Sequence, residues 1–420
     1  MGLISLSAQK VPIYLAPHAE LSHIFVPENN NATFGVATAN VSLQGNSGRL
    51  DLLGNGWRQP VGGLFFKDDK RFKGQKRTFE QMAAGNSPVG PISILGAQEN
   101  FCDGFRKLYE KDEGIVGLPY AVFGPTRNGL QDILDRLKSD PRLEKLILSG
   151  VVDISKLVKA FFQNHYVEEK AGANIIKSLL SFITSGVTTE NKFLGKIQHL
   201  LKENDNDPFI PIGSGLAIFS QFPILNAWFM PFPHRAEFEL FTNKGILIAD
   251  VLLPTGEIIR VINTHLQDVV SPESQAAQDA QADVLRLVME ESPYRVLLVG
   301  DLNLTPDSLN HEIIFQEDIN NCHQFLREKI FTFLRHNPLA KERGIIDSSD
   351  RVIDYIGGEF DFDITEEMVR AAIAVIDNLD SDHRIVLARF LMKQDLNKSG
   401  VRRKLPQNTH FIQRLVRQAA

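Results

Sequence analysis

The sequence predicts an α/β protein, and three observations carry that prediction. Apolar runs of strand length, such as the one from Arg295 to Gly300, stop abruptly at polar motifs. Helix-spaced segments lie between such runs. The chain has 420 residues, 43% of them apolar, enough to bury the core of a large two-sheet sandwich as one unit, although length alone suggests two or three domains. The polar motifs occur in the order Gln98-Glu99-Asn100, Ser214-Gly215-Leu216, Asn263-Thr264-His265-Leu266, Gly300-Asp301-Leu302-Asn303 and Ser381-Asp382-His383. Read as strand caps, they gather carboxylates, amides and imidazoles at a sheet edge, where pockets form.

Taken in order, residues 33–43 read as a strand carrying a buried amide at Asn40. The Gly-rich, basic stretch 44–90 shows no long periodic element and is expected to be a long loop with short helices. Ile92 to Ala97 is the next strand, ending at Glu99, and Phe101, Phe105 and Leu108 then space a helix over 101–110. Over 130–207, residues such as Leu134, Leu137, Leu157, Phe161, Leu179 and Phe182 recur at helical intervals without a comparable strand, which predicts a helical insertion. Strands resume at 215–220, 245–253 and 258–263, the last two joined by the hairpin turn Pro254-Thr255-Gly256-Glu257. Ser271 with Pro272 opens a helix through about Glu291, which leads into the Arg295–Gly300 strand, and Ile385 to Leu391 is the last apolar run.

Composition narrows the function. A net charge of -6 gives no general attraction to a polyanion, so nucleic acid is a less favoured partner. Two cysteines, Cys102 and Cys322, support neither a disulfide framework nor a zinc site and read as buried or incidental thiols. The start, residues 1–32, is an N-terminal extension. Lys10, Pro12 and Pro17 interrupt any apolar h-region there, no stretch approaches a transmembrane span, and a cytoplasmic or peripheral membrane location is expected, with export by another route left open. The aromatic run Trp228-Phe229-Met230-Pro231-Phe232-Pro233 fits a membrane-inserting loop or a loop packed beneath the insertion. The tail, 393–420, carries seven basic residues against the single acid Asp395, which suits an anionic membrane, a helix docked on its own protein or a nucleic-acid contact.

The chemistry can be read residue by residue. A hard divalent cation takes one or two carboxylates plus oxygen donors, a set that Glu99 and the Asn40 amide would supply from neighbouring strand ends. Alone, Glu99 is more often a solvated surface acid, and Asn40 a turn or bulge amide. Asp301 and Asn303 lie two apart, so in an extended segment they share a face, suited to orienting a water and holding a phosphoryl oxygen. An Asx-type turn explains that pair about equally well. Asp382 beside His383 supplies a carboxylate and an imidazole for general base work, although adjacent strand residues point apart, which leaves Asp382 to orient a neighbour or a metal. His265 offers a donor to a phosphate oxygen; a lone histidine there is more often structural.

With these motifs in this order, the chain resembles the endonuclease/exonuclease/phosphatase superfamily over about residues 33–125 and 209–392. The resemblance implies a deoxyribonuclease-type four-layer α/β/β/α sandwich of two packed mixed sheets, a catalytic domain over 33–392 interrupted by a helical subdomain at 130–207. Within the superfamily it is most similar to neutral, magnesium-dependent sphingomyelinases, through Phe34 to Val41, Ser214 to Ile224, Thr242-Asn243-Lys244-Gly245 and Arg351-Val-Ile-Asp-Tyr-Ile356. That similarity implies Mg²⁺ (or Mn²⁺ or Ca²⁺) at Glu99 and Asn40, His383 as base, Asp301 positioning the nucleophile, and Asn303 and His265 stabilising the phosphate. It implies hydrolysis of a phospholipid at a membrane surface, sphingomyelin to ceramide and phosphocholine, with Trp228 and Phe229 meeting the lipid. Lys244 would order the site, with Glu239 standing where those enzymes carry Asp. The same machinery serves nucleases and phosphoinositide phosphatases, and an inactive scaffold whose insertion binds a protein or lipid partner is the reading from another class.

Overall fold

The computed structural model describes residues 8–16, 31–43, 49–51, 58–60, 68–101, 104–125, 213–236, 239, 242–316, 319–325, 330–334, 350–360, 373–378 and 381–393. The expected insertion at 130–207, Cys102 and the basic tail beyond Lys393 lie outside these residues. Among the described residues, no helix is long and apolar enough to cross a membrane.

In chain order the strands are β1 (Gln9–Lys10), β2 (Ile13–Leu15), β3 (Asn31–Leu43), β4 (Arg49–Asp51), β5 (Arg58–Pro60), β6 (Ile92–Asn100), β7 (Tyr120–Phe123) and β8 (Ala217–Ser220). They continue as β9 (Ile224–Pro231), β10 (Gly245–Leu252), β11 (Ile258–His265), β12 (Arg295–Asp301), β13 (Asn320–Asn321), β14 (Asp354–Gly358), β15 (Ile373–Ile376) and β16 (Ile385–Lys393). Two seven-stranded sheets result, one ordered β1-β9-β10-β11-β12-β14-β13 and the other β15-β16-β3-β6-β8-β7-β2. Each is mixed, with a parallel pair at its heart: β11 with β12, and β3 with β6.

Alternation along the strands explains the layering. Val36, Ile94, Leu247, Val261, Leu297 and Val299 share one buried cluster between the sheets. Their neighbours point the other way: Ala37 and Leu95 pack on Phe79, Met82 and Phe105, while Ile248, Ile262 and Leu298 pack on Ala282, Leu285 and Met289. Helices therefore cover both outer faces, as the four-layer sandwich requires. The sheets approach closely beneath the functional edge, where a Cβ on Gly96 of β6 would lie 2.3 Å from Val299 Cγ2 of β12. The buried amides there are paired across the sheets: Gln98 donates to Asn263 Oδ1 at 2.7 Å, and Asn263 Nδ2 donates to the carbonyls of Ala97 and Ala217.

The helix expected after Ser271 spans Pro272–Glu290. Ser271 caps it, accepting from the Ser274 backbone, with proline in the first turn. Two expectations are corrected. The stretch 44–90 is not loop with short helices throughout, because Asp68–Ala83 forms a 16-residue helix. Its buried face alternates Phe79 and Met82 with the polar Arg71 and Gln75, so its apolar stripe was too sparse to read as periodic. The run Trp228 to Pro231 is not a loop of either expected kind but the end of β9, paired along its length with β10. Phe229, 1% exposed, belongs to the core between the sheets and so not to the expected lipid-contacting rim, while Trp228 packs partly buried on the outer face.

Candidate active site

The named residues converge because the parallel pairs of both sheets end at the same edge. His265, Asp301 and Asp354 lie in one cross-strand row, His265 opposite Asp301 and Asp301 opposite Asp354. From the facing sheet come Asn40 on β3, Glu99 on β6 and His383 just before β16. Glu99, Asp301 and His383 offer ligand atoms within 4.8 Å of one another. Of the four non-glycine residues with positive φ among those described, three border this site: Ser42 at 53°, Glu99 at 51° and Asn303 at 50°. Left-handed backbone costs about 1–3 kcal/mol per residue and persists where the surroundings over-determine it, commonly at functional sites.

Asn40 is the hub. Its Nδ2 donates to Glu99 Oε1 at 3.0 Å and to Asp301 Oδ2 at 2.9 Å, and lies 3.4 Å from His383 Nε2. Its oxygen accepts from the Ser42 backbone N–H at 3.0 Å. In this arrangement the amide expected to assist Glu99 at a metal ties the Glu99 and Asp301 carboxylates together.

The carboxylate that orients His383 comes from another element. Asp354 Oδ2, not Asp382, sits 2.9 Å from His383 Nδ1. Asp382 is buried next to the ring in sequence, with Oδ1 3.4 Å from Ser381 Oγ. Ser381 Oγ donates to the Asn40 carbonyl and accepts from the His383 backbone N–H, so the Ser-Asp-His segment is stitched to the end of β3. Sequence reading singled out the Arg351 to Ile356 segment without giving Asp354 a role. The signal was an acid inside the apolar run Val352-Ile353-Asp354-Tyr355-Ile356, where a buried charge demands a partner.

Electrostatics separate the two histidines. Burial works against a charged His383, but Asp354 and Asp301 outweigh it and hold the ring at about 10. His265 goes the other way: burial, then the positive charges of Lys244 and His383, push it well below its usual range, so it is neutral. Asp301 is raised to about 7, first by burial and then by Asp354, with His383 and the Asn40 hydrogen bond opposing. Two buried polar atoms here, His265 Nδ1 and Asp354 Oδ1, have no hydrogen-bond partner.

Asn303 takes its backbone turn from an Asx-type bond, its N–H donating to Asp301 Oδ1 at 3.0 Å, while its Nδ2 donates to the Leu266 carbonyl at 3.0 Å. Lys244 Nζ donates to that same carbonyl at 2.6 Å and pairs with Glu239 at 2.5 Å. Lys244 is 4% exposed, so it meets the site through the Leu266 peptide and not as an open substrate-binding cation. Glu239 is raised to about 7 by burial, against the pull of Lys244.

No family model matches the chain. It is 31% identical over 118 residues to the inositol phosphosphingolipids phospholipase C of Schizosaccharomyces pombe, a match covering 24% of this chain and 27% of the relative. It is 35% identical over 117 residues to the enzyme of the same name from Saccharomyces cerevisiae, covering 25% and 24%. The chain thus spans about a quarter of the length of the curated relatives it matches. Among solved structures it is similar to a variant of beta toxin from Staphylococcus aureus with bound magnesium ions (13% identity, 85% of this chain, 99% of that chain, TM-score 0.45). It is also similar to sphingomyelinase C from Streptomyces griseocarneus (15% identity, 85% and 99%, TM-score 0.40). The names of the curated relatives fit the superfamily resemblance and its sphingomyelinase-like branch.

Proposed function

We propose that this chain is a divalent-metal-dependent phosphodiesterase that hydrolyses a phosphosphingolipid to ceramide and a phosphorylated headgroup. The observation that carries the reading is the network Glu99–Asn40–Asp301–His383–Asp354 at the shared edge of both sheets. The residues fit a hard cation: Glu99 and Asp301 bring carboxylate oxygens close together, and the acids outnumber the histidines facing them. Glu99 would hold the ion, with Mg²⁺ the expected metal, and when bound it would supply Lewis-acid polarisation of a non-bridging phosphoryl oxygen.

The remaining steps belong to the protein. Asp354 fixes the His383 ring through Nδ1 and leaves Nε2 facing the cluster, the atom that takes a proton from the attacking water. A cation held by Glu99 would oppose the upward pull on His383 and favour its neutral, basic form. Asp301 orients the water, and the neutral His265 with Asn303 donates hydrogen bonds to charge growing on the phosphoryl oxygens. Water attacks phosphorus in line as His383 takes its proton, the P–O bond to the ceramide oxygen breaks, and the departing alkoxide takes up a proton from solvent water.

Because such a substrate sits in a bilayer, the enzyme works at a membrane surface. Purified protein, given sphingomyelin and an inositol-headed phosphosphingolipid in mixed micelles with magnesium, should release ceramide from at least one of them and lose that activity in chelator. Release from neither, together with nicking of plasmid DNA or hydrolysis of phosphoinositides, would reassign the site to another phosphoester.

A further inference from the structure

The segment that supplies Asp354 also carries a cation, Arg351, against the aromatic ring that packs on His383. Arg351 forms an isolated antiparallel bridge with Phe333, and Phe333 forms another with His383, so the three backbones lie side by side. Both backbone groups of Arg351 are bonded: its N–H donates to the Phe333 carbonyl, and its carbonyl accepts from the Thr332 and Phe333 N–H groups. Their side chains follow in the same order, the Phe333 and His383 rings meeting edge to face. The Phe333 ring lies 5.1 Å from the His383 ring, and the Arg351 guanidinium lies 5.3 Å from the Phe333 centroid. Arg351 is one aromatic ring away from the base. Among the described residues its ion pair is a loose one, 3.7 Å to Asp268, with the two side chains 28% and 45% exposed, and its buried Nε has no hydrogen-bond partner. A pair this open contributes little to stability, so a ligand oxygen can displace Asp268 at small cost.

We propose that Arg351 reads the substrate headgroup and selects a hydroxyl-rich phosphate ester, such as an inositol phosphate, over phosphocholine. This inference rests on the phosphosphingolipid reading. In-line attack sends the ceramide oxygen away from the water held by His383, so the headgroup is the ester substituent left to face the His383 side of the phosphate. There the guanidinium fork donates to ring hydroxyls or to a further anionic substituent. A quaternary ammonium meets like charge instead. The usual answer to such a cation, an open aromatic face, is missing at Phe333, which is 4% exposed and already covered by Arg351.

The test compares two ligands in two proteins, wild type and Arg351→Gln, both with magnesium. Calorimetry measures the affinities of myo-inositol 1-phosphate and phosphocholine, and KM is measured for inositol phosphoceramide and sphingomyelin. The ratio between ligands is the readout, so a partly folded variant does not disturb it. Wild type should favour the inositol ligand by about tenfold or more, and Arg351→Gln should lower that ratio about tenfold, the scale of a charged hydrogen bond. Preference of wild type for phosphocholine, an equal loss for both ligands in the variant, or no binding of the inositol phosphate overturns the assignment. Hydrolysis of neither lipid, with the binding ratio intact, rejects the enzymatic reading and leaves the headgroup assignment standing.

Discussion

The two ends of the sheet β10-β11-β12 bury charge in opposite ways. At the hairpin end, Asp250 and Arg260 face each other across β10 and β11 and make two hydrogen bonds, at 2.9 and 3.2 Å. The guanidinium is held between Trp228 at 5.5 Å and Tyr294 at 5.6 Å, and nearby Arg295 pairs with Glu257. Charges there balance. At the other end of the same strands, His265, Asp301 and Asp354 stand in a row with Glu99 close by, and two of their buried atoms go unpartnered. Like charges opposite one another in a sheet are destabilising, so that end is costly unless a ligand offsets it. One end is built to hold the fold, and the other is poised for a cation and an anionic substrate.

Breaking each end should therefore give a different signature. The largest effect is expected from Asp354→Asn, which leaves the His383 ring without its orienting carboxylate: turnover should fall on the order of 10³–10⁴-fold, the scale seen when a base loses such a partner. Its melting midpoint below pH 6.5 should also fall, because the charged His383 loses the carboxylate that holds it. Next, Asp250→Asn strands Arg260 and should cost about 3–5 kcal/mol in chemical denaturation, with turnover per folded molecule unchanged. A large loss of turnover in that folded fraction would erase the contrast between the ends.

A smaller effect lies in pH. His383 has a folded value raised to about 10 from 6.5, so its contribution to the metal-free protein is fully present below 6.5 and disappears as pH rises through about 10. Denaturation midpoints measured at pH 6 and pH 10 should differ less in Asp354→Asn than in wild type; an equal difference would mean that the imidazolium is not held by Asp354. The smallest change is expected from Glu257→Ala, about 0.2–1 kcal/mol, since both partners of that pair are about a third exposed.

How much of this was legible in sequence follows the same division. Residues on strand ends, such as Glu99, His265, Asp301 and Asn303, announce themselves because an apolar run stops at a polar group, and a regular strand then carries that group to the edge. Asp354 was harder, lying at a strand's start in a segment with no abrupt change of character. Its pairing with His383 spans 29 residues of chain and depends on β14 and β16 belonging to different sheets. The Trp228–Phe229 pair misled because aromatic density marks a lipid-facing rim and a buried strand alike; pairing with β10 decides between them, and pairing is not local. Nor does sequence fix which atom of Asn40 faces the acids, a matter settled by Ser42 N–H claiming its oxygen. The insertion at 130–207 and the basic tail lie outside the described residues and keep only their sequence reading.

The contrast between the ends is tested most directly by thermal melting with and without magnesium, for wild type and Glu99→Gln. A ligand that binds only the folded state raises its midpoint, so saturating magnesium should lift wild type by about 5 °C or more and leave Glu99→Gln nearly unmoved. A wild-type midpoint indifferent to magnesium, or an equal rise in both proteins, would contradict the claim that the acidic end is built around a cation.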